Sequence, residues 1–197
     1  MNNVSRMIPR ILISQTASGA TVLSGALRGQ DLLAQLLRAT APEPTLPQPV
    51  FLDFTGIDVA TASFLRESVL AFRDIVRGRR SFIYPIVANA SDAVIEELNE
   101  LVKSRGGVLM TCQLADDGTV SNPSLIGQLD PKQQLTFDLV RRRGETDAME
   151  LMREFGGSEE VGSTAWNNRL SSLVALGLVI EMSFGRTKRY KPLLQGL

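Results

Sequence analysis

The side chains best suited to chemistry lie near the C-terminus, where Arg186, Lys188, Arg189 and Lys191 put four cations within six residues. The chain carries 21 Lys plus Arg against 21 Asp plus Glu, so no global field draws it to a polyanion and any such attraction must be local. Neutralising four phosphates would give a salt slope of about three to four; a solvated charge run is the bland alternative. Just upstream, Ser163 to Leu176 has helical spacing, with Trp166, Leu170, Leu173 and Gly177 on one side as core. The other side carries Thr164, Asn168, Ser171 and Ser172, with Asn167 and Arg169 at its edges. Such small hydrogen-bonding groups can lie against a major groove, where asparagine holds adenine by two bonds and arginine holds guanine or a phosphate. Ser163 is expected to cap this helix, leaving free amides that could meet a phosphate. Arg141, Arg142 and Arg143 either add backbone contacts or complement the C-terminus of their own helix.

Other chemistries find little material. The chain has no histidine, which removes the commonest general base, Ser-His and Cys-His nucleophile pairs and most zinc sites. Cys112 is the single cysteine and lies in an apolar run, so a buried reduced thiol is expected. Asp53 and Asp58 are close in sequence but lack a phosphate-cradling loop or a metal-spaced cluster beside them. The pairs Gly106-Gly107 and Gly156-Gly157 read as turns, and Gly78-Arg79-Arg80 as a solvated helix end. These features predict no enzyme, no cofactor and no metal. Ile8 to Ser14 is too short an apolar run for a membrane span or a signal peptide, which points to a cytoplasmic protein without membrane contact.

The elements that must hold these residues fall into two patterns. Arg10 to Gln15 and Thr21 to Ser24 read as strands close enough to pair as a hairpin, followed by an amphipathic helix through Leu32, Leu33, Leu36 and Leu37 to about Ala39. Pro42, Pro44 and Pro47 mark a loop. Val50, Phe51 and Leu52 then form an inner strand ending at Asp53, and Phe64, Leu65, Val69 and Phe72 recur at helical spacing behind Thr61 or Ser63 as cap. A strand over Ser81 to Ala88, a helix from Ser91-Asp92 and a strand over Val108 to Leu114 complete an α/β layer sandwich with a mixed sheet over residues 1–115. Residues 116–129, with the Asp116-Asp117-Gly118 turn and Asn122-Pro123, read as a connector. From Asp130 the strand pattern stops. Three helices over Leu135 to Arg143, Asp147 to Phe155 and Ser163 to Leu176 precede a hairpin over Leu178 to Leu193, giving a second unit at 130–197.

Two resemblances attach to these stretches. Asp53-Phe54-Thr55-Gly56-Ile57 with Thr61-Ala62-Ser63-Phe64-Leu65 resembles the strand-to-helix turn of STAS domains, nearest to the bacterial STAS-like family without assigned function. The Leu23 to Leu33 run resembles, more weakly, the segment before that family's first helix. In the related anti-sigma factor antagonists the turn reads D-S-S-G and a partner kinase phosphorylates its second serine, which aligns with Ser63; here Thr61 replaces the Asp and Phe64 the Gly. The resemblance therefore implies phosphorylation at Ser63 or Thr61 as an alternative to simple capping. In the last third, Leu170, Leu173, Leu176, Gly177, Leu178 and Val179 resemble the close of the recognition helix in bacterial winged helix-turn-helix regulators. Gly185, Arg186, Lys188, Arg189 and Tyr190 are similar to their wing.

The expectation is a STAS-like layer joined to a winged helix-turn-helix that binds double-stranded DNA as a homodimer, with the first unit sensing a signal or docking a protein partner. Thr164, Asn167, Asn168, Arg169, Ser171, Arg186, Lys188, Arg189 and Lys191 would meet DNA. The competing expectation is a protein-interaction adaptor switched by a kinase at Ser63 or Thr61.

Overall fold

The computed structural model describes residues 9–16, 19–159, 162–185 and 187–196. Five strands form one mixed sheet in the order β1-β3-β5-β6-β7: β1 (Arg10–Leu12), β3 (Gln48–Asp53), β5 (Ile83–Ala88), β6 (Val108–Leu114) and β7 (Val120–Gly127). The first four run parallel and β7 is antiparallel to β6. Parallel neighbours need crossovers. They are supplied by α2 (Ala26–Ala39), by a rod made of α3 (Ala62–Leu65), a π turn (Arg66–Leu70) and α4 (Ala71–Gly78), and by α5 (Asp92–Arg105). A short parallel pair, β2 (Val22–Leu23) with β4 (Val59–Ala60), sits apart from the main sheet.

The pleat sorts side chains to two cores, because alternate residues of a strand point to opposite faces. Val50, Leu52, Ile83, Val87 and Leu109 pack with Leu32 and Leu36 of α2, Phe64, Val69, Phe72 and Val76 of the rod, and Val94 and Leu98 of α5. Gly29 lets α2 approach the rod: a Cβ there would stand 2.6 Å from the Phe64 carbonyl oxygen. The π turn has a local cause in Ser68, whose buried hydroxyl donates to that same carbonyl at 2.6 Å and offers the backbone a competing bond.

Phe51, Tyr84, Ile86, Ala88, Met110 and Cys112 face the other way, into a core completed by the C-terminal part of the chain. That part comprises α6 (Pro131–Arg143), α7 (Ala148–Glu159), α8 (Ser163–Ala175) and the hairpin of β8 (Val179–Phe184) with β9 (Thr187–Pro192). Asp130 opens α6 with a capping box: its carboxylate accepts from the amides of Lys132 and Gln133, and Gln133 reaches back to the Asp130 amide. Trp166, Leu170 and Leu173 of α8 are fully buried in this second core, as their spacing predicts.

Several expectations are corrected. The first strand stops at Leu12 and turns into the one-turn α1 (Ile13–Thr16), and the first two strands make no hairpin, since β1 joins β3 while β2 joins β4. The helix expected from Leu32 begins at Ala26. Most of the supposed connector is strand β7, which accommodates Asn122 at a φ of 47° opposite an irregularity between Thr111 and Gln113. Gly156 and Gly157 lie inside α7 rather than in a turn. No described helix is long and apolar enough to cross a membrane.

Candidate nucleic-acid interface and the Thr61 turn

Helix α8 turns Trp166, Leu170 and Leu173 inward, which leaves Thr164, Asn167, Asn168 and Ser171 exposed on one outer face. Arg169 lies at its edge, half-buried, with its guanidinium 4.8 Å from the centre of the Trp166 ring. Ser172 turns away from it, accepting a bond from Gln133 at 2.9 Å that ties α8 to α6. Gly162, not Ser163, stands at the cap position, and no side chain caps the helix.

Beside this face stands the hairpin, with a groove of about 480 Å³ between them lined by Asp147, Ala148, Met149, Asn167, Ser171, Thr187, Lys188 and Tyr190. Two of the hairpin's four cations, Arg189 and Lys188, are engaged with carboxylates. Arg189 donates to Glu145 at 2.9 Å, Asp147 at 3.0 Å and Glu150 at 2.8 Å. These carboxylates, Glu150 foremost, raise the pKa of Arg189, and the bond from Arg189 is in turn the leading cause that lowers the pKa of Glu150. Asp147 and Glu150 also cap each other's amides at the start of α7, so Arg189 fastens strand β9 to that helix start. A bridge of Thr146 to Tyr190 by two backbone bonds, at 2.9 and 2.8 Å, reinforces the join. Lys188 pairs with Glu181 across the hairpin at 2.9 Å, and Lys191 is half-buried. Arg186 lies outside the described residues. Of the basic run in α6, Arg141 meets Asp138 and Arg143 meets Glu154, while Arg142 is exposed. Sequence spacing alone gave no sign of the acidic partners, which are about forty residues from Arg189 in the chain.

The second candidate lies at the N-terminus of the rod. Thr61 occupies the cap position but makes no side-chain cap bond, contrary to expectation, and Ser63 does not cap either. Instead the two half-buried hydroxyls sit 3.2 Å apart, and the Gly25 amide donates to Thr61 at 3.4 Å. Exposed apolar residues flank this corner: Val22 and Val59, paired across β2 and β4, and Leu27 in the first turn of α2.

Two buried ionic groups, Asp53 and Arg77, have partners that the sequence does not reveal. Asp53, at the end of β3, is buried, and burial disfavours its charge. Bonds from the Thr55 hydroxyl at 2.7 Å and amide at 2.9 Å, from Arg10, and from Asn89 at 3.1 Å outweigh that and hold its pKa below the usual range. Asn89 also bridges to the Leu114 amide and carbonyl, so this cluster pins the ends of three strands. Arg77, at the end of α4, lies 4.0 Å over the Tyr84 ring and donates to the carbonyls of Ser81, Ile83 and Val174 at 2.8 to 2.9 Å. Its burial lowers its pKa. The bond to Val174 places a cation at the C-terminal end of α8, where the helix dipole favours it. Among the described residues no His, Cys, Asp and Glu group is arranged to hold a metal ion. Cys112 is buried, and desolvation pushes its thiol up to about 11.

No protein-family model matches this chain, and no curated protein matches it either.

Proposed function

We propose that the chain is a DNA-binding transcriptional regulator in which residues 130–197 form a winged helix-turn-helix and the preceding sheet and helices form a STAS-like layer that senses a signal or docks a partner. The observation carrying this reading is the outer face of α8. Thr164, Asn167, Asn168 and Ser171 stand exposed together beside a two-stranded hairpin, while the opposite face of the same helix is buried. A helix so mounted can enter a major groove with its small polar groups toward base edges. The paired state of Lys188 and Arg189 shifts the weight of recognition from the hairpin cations to this face. Double-stranded DNA is then the partner, with a homodimer doubling the contacts of one small module.

The test is fluorescence anisotropy with duplex DNA, from a random-sequence pool and from the region upstream of the gene, at two salt concentrations. Binding that weakens with salt and is lost in the Asn167→Ala, Asn168→Ala double variant, with stability unchanged, is expected. Absence of duplex binding at low salt overturns the reading.

A second reading is favoured by one observation: the Thr61 and Ser63 hydroxyls are not spent on capping and lie among exposed Val22, Leu27 and Val59. On it the chain is a protein-interaction adaptor switched by a kinase at Ser63 or Thr61. Phosphate on Ser63 after incubation with a kinase encoded beside the gene would favour it. An unmodified Ser63 after that incubation counts against it.

A further inference from the structure

A second cavity, of about 430 Å³, lies between α2 and the chain that leads into it, remote from the C-terminal groove. Its volume falls in the range of small-molecule sites. Among the described residues its base is apolar, from Ala20, Leu23, Leu32 and Phe64, and its rim is polar, from Arg28, Asp31 and Gln35. Arg28, Asp31, Leu32 and Gln35 follow the i, i+3, i+4, i+7 spacing of one helix face. Arg28 and Asp31 are neighbours on that face, yet neither makes an ion pair or a side-chain hydrogen bond with a described residue. Arg28 also stands in the first turn of α2, where the helix dipole disfavours a cation. Neither an acidic residue nor a side-chain cap in that turn offsets it. A cation so placed gains most from an anion supplied from outside the chain.

We infer that this cavity binds a small zwitterion with an apolar body, of the α-amino acid class, its carboxylate on Arg28, its ammonium on Asp31 and its side chain over Leu23, Leu32 and Phe64. A ligand with a carboxylate alone would set a second anion beside Asp31, and an amine alone a second cation beside Arg28. Residues at i and i+3 lie about 5–6 Å apart on a helix surface, so one molecule carrying both charges can meet both. The apolar base then favours a ligand whose remainder is hydrocarbon, because that surface leaves water on binding. Phe64 joins the cavity to the packing of the layer. Its carbonyl accepts from Ser68 at the π turn and lies against Gly29 of α2, so a ligand over Phe64 bears on the contact between α2 and the rod.

The inference rests on the sensing role proposed for the sheet layer, and its experiment does not use DNA. The isotope-labelled full chain is titrated with L-leucine and with L-phenylalanine by nuclear magnetic resonance. The amides of Leu23, Arg28, Asp31, Leu32 and Phe64 are followed, with those of α7 as control. At least one of the two is expected to shift the cavity amides at millimolar concentration and leave α7 unmoved. The N-acetyl form of that amino acid, which lacks the ammonium, and its amide, which lacks the carboxylate, should each bind the parent about tenfold more weakly, on the scale of one bond to a charged group. The unmodified amino acid should lose as much against Arg28→Ala and Asp31→Ala, both of which replace exposed side chains. No shift of the cavity amides by either amino acid overturns the inference. Unchanged affinity in either variant, or for either capped form, overturns it as well. Duplex binding by the parent is measured in parallel: its absence while an amino acid binds removes the regulator reading and leaves the site, and the converse leaves the regulator without this ligand.

Discussion

One face of the sheet is closed by α2, the α3–α4 rod and α5 over Val50, Leu52, Val87 and Leu109, with helices that are the sheet's own crossovers. The other is closed over Phe51, Tyr84, Ile86 and Met110 by residues that follow the sheet in the chain, and it carries a buried guanidinium at its margin. The first face is closed by connections the parallel strands require in any case. The second is optional to the sheet, and its closure depends on α8 and the hairpin docking correctly. Polar ties help hold it: Arg77 to Val174 joins α8 to the sheet layer, and Gln133 to Ser172 and Arg189 to the start of α7 hold the C-terminal elements to one another. Apolar burial supplies the affinity of the two layers, and these bonds fix the angle at which α8 is presented.

The largest test of this contrast removes one large side chain from each core. Phe72→Ala on the first face and Trp166→Ala on the second should each cost about 3–5 kcal/mol. Because Phe51 and Tyr84 share a core with Trp166, urea unfolding followed by circular dichroism should remain a single transition shifted to lower urea in both. A separate early transition confined to Trp166→Ala would mean that the C-terminal unit melts on its own and that the second face is only loosely held.

Next in size is Arg77→Met. It keeps much of the packing over Tyr84 but leaves the Ser81, Ile83 and Val174 carbonyls without their donor. A loss of about 2 kcal/mol is expected, the cost of buried acceptors left unmet, with faster amide exchange in the last turn of α8. Exchange at α5, on the other face, should be unaffected in its local openings. Equal acceleration on both faces would remove Arg77 from its role as a tie to α8.

Both effects rest on groups that were unevenly legible in the sequence. The inner strands, α5 and the burial of Trp166 could be read because a single physical signal, hydrophobic period, decided each. The first two strands were misjudged because pairing is set by crossovers: β1 needs β3 as its neighbour, and a short intervening loop says nothing of that. Strand β7 hid behind Asn122 and Pro123, residues that mark turns but are tolerated on an edge strand. In the candidate interface, spacing places Thr164, Asn168 and Ser171 on the outer face of α8 but also Ser172, which the fold turns toward Gln133 instead. The pairing of Arg189 with Glu145, Asp147 and Glu150 was not readable, because a cation's partner across the fold leaves no local pattern.

Asp53 supplies a smaller test, on pH. Its folded pKa is depressed, so its contribution is present above the unfolded value near 3.9 and is lost as pH falls through the folded value. Asp53→Asn should cost about 1–2 kcal/mol at neutral pH, the scale of bonds to a charged group, and flatten the fall in stability below about pH 4. Since Asp53 ties strand ends through Thr55, Arg10 and Asn89, the loss should register in the whole transition rather than in the C-terminal unit. An acid limb identical to the parent's would show that other carboxylates govern it.

The smallest effect sharpens the contrast most, because it separates holding α8 from touching DNA. Lys188 and Arg189 are neighbours on β9, yet Lys188 faces one carboxylate across an exposed hairpin while Arg189 faces three at the start of α7. An exposed pair contributes little to stability, so Lys188→Ala should change it by less than about 0.5 kcal/mol. If Lys188 leaves Glu181 for a phosphate on binding, the same variant should lower the salt slope by about one. Arg189→Ala should do the reverse, lowering the unfolding midpoint and leaving the salt slope near the parent's, because its charge is already committed within the protein. A fall in slope for both variants would return the hairpin to a cationic clamp. No fall for either would leave the outer face of α8 to carry the contact without Lys188 and Arg189.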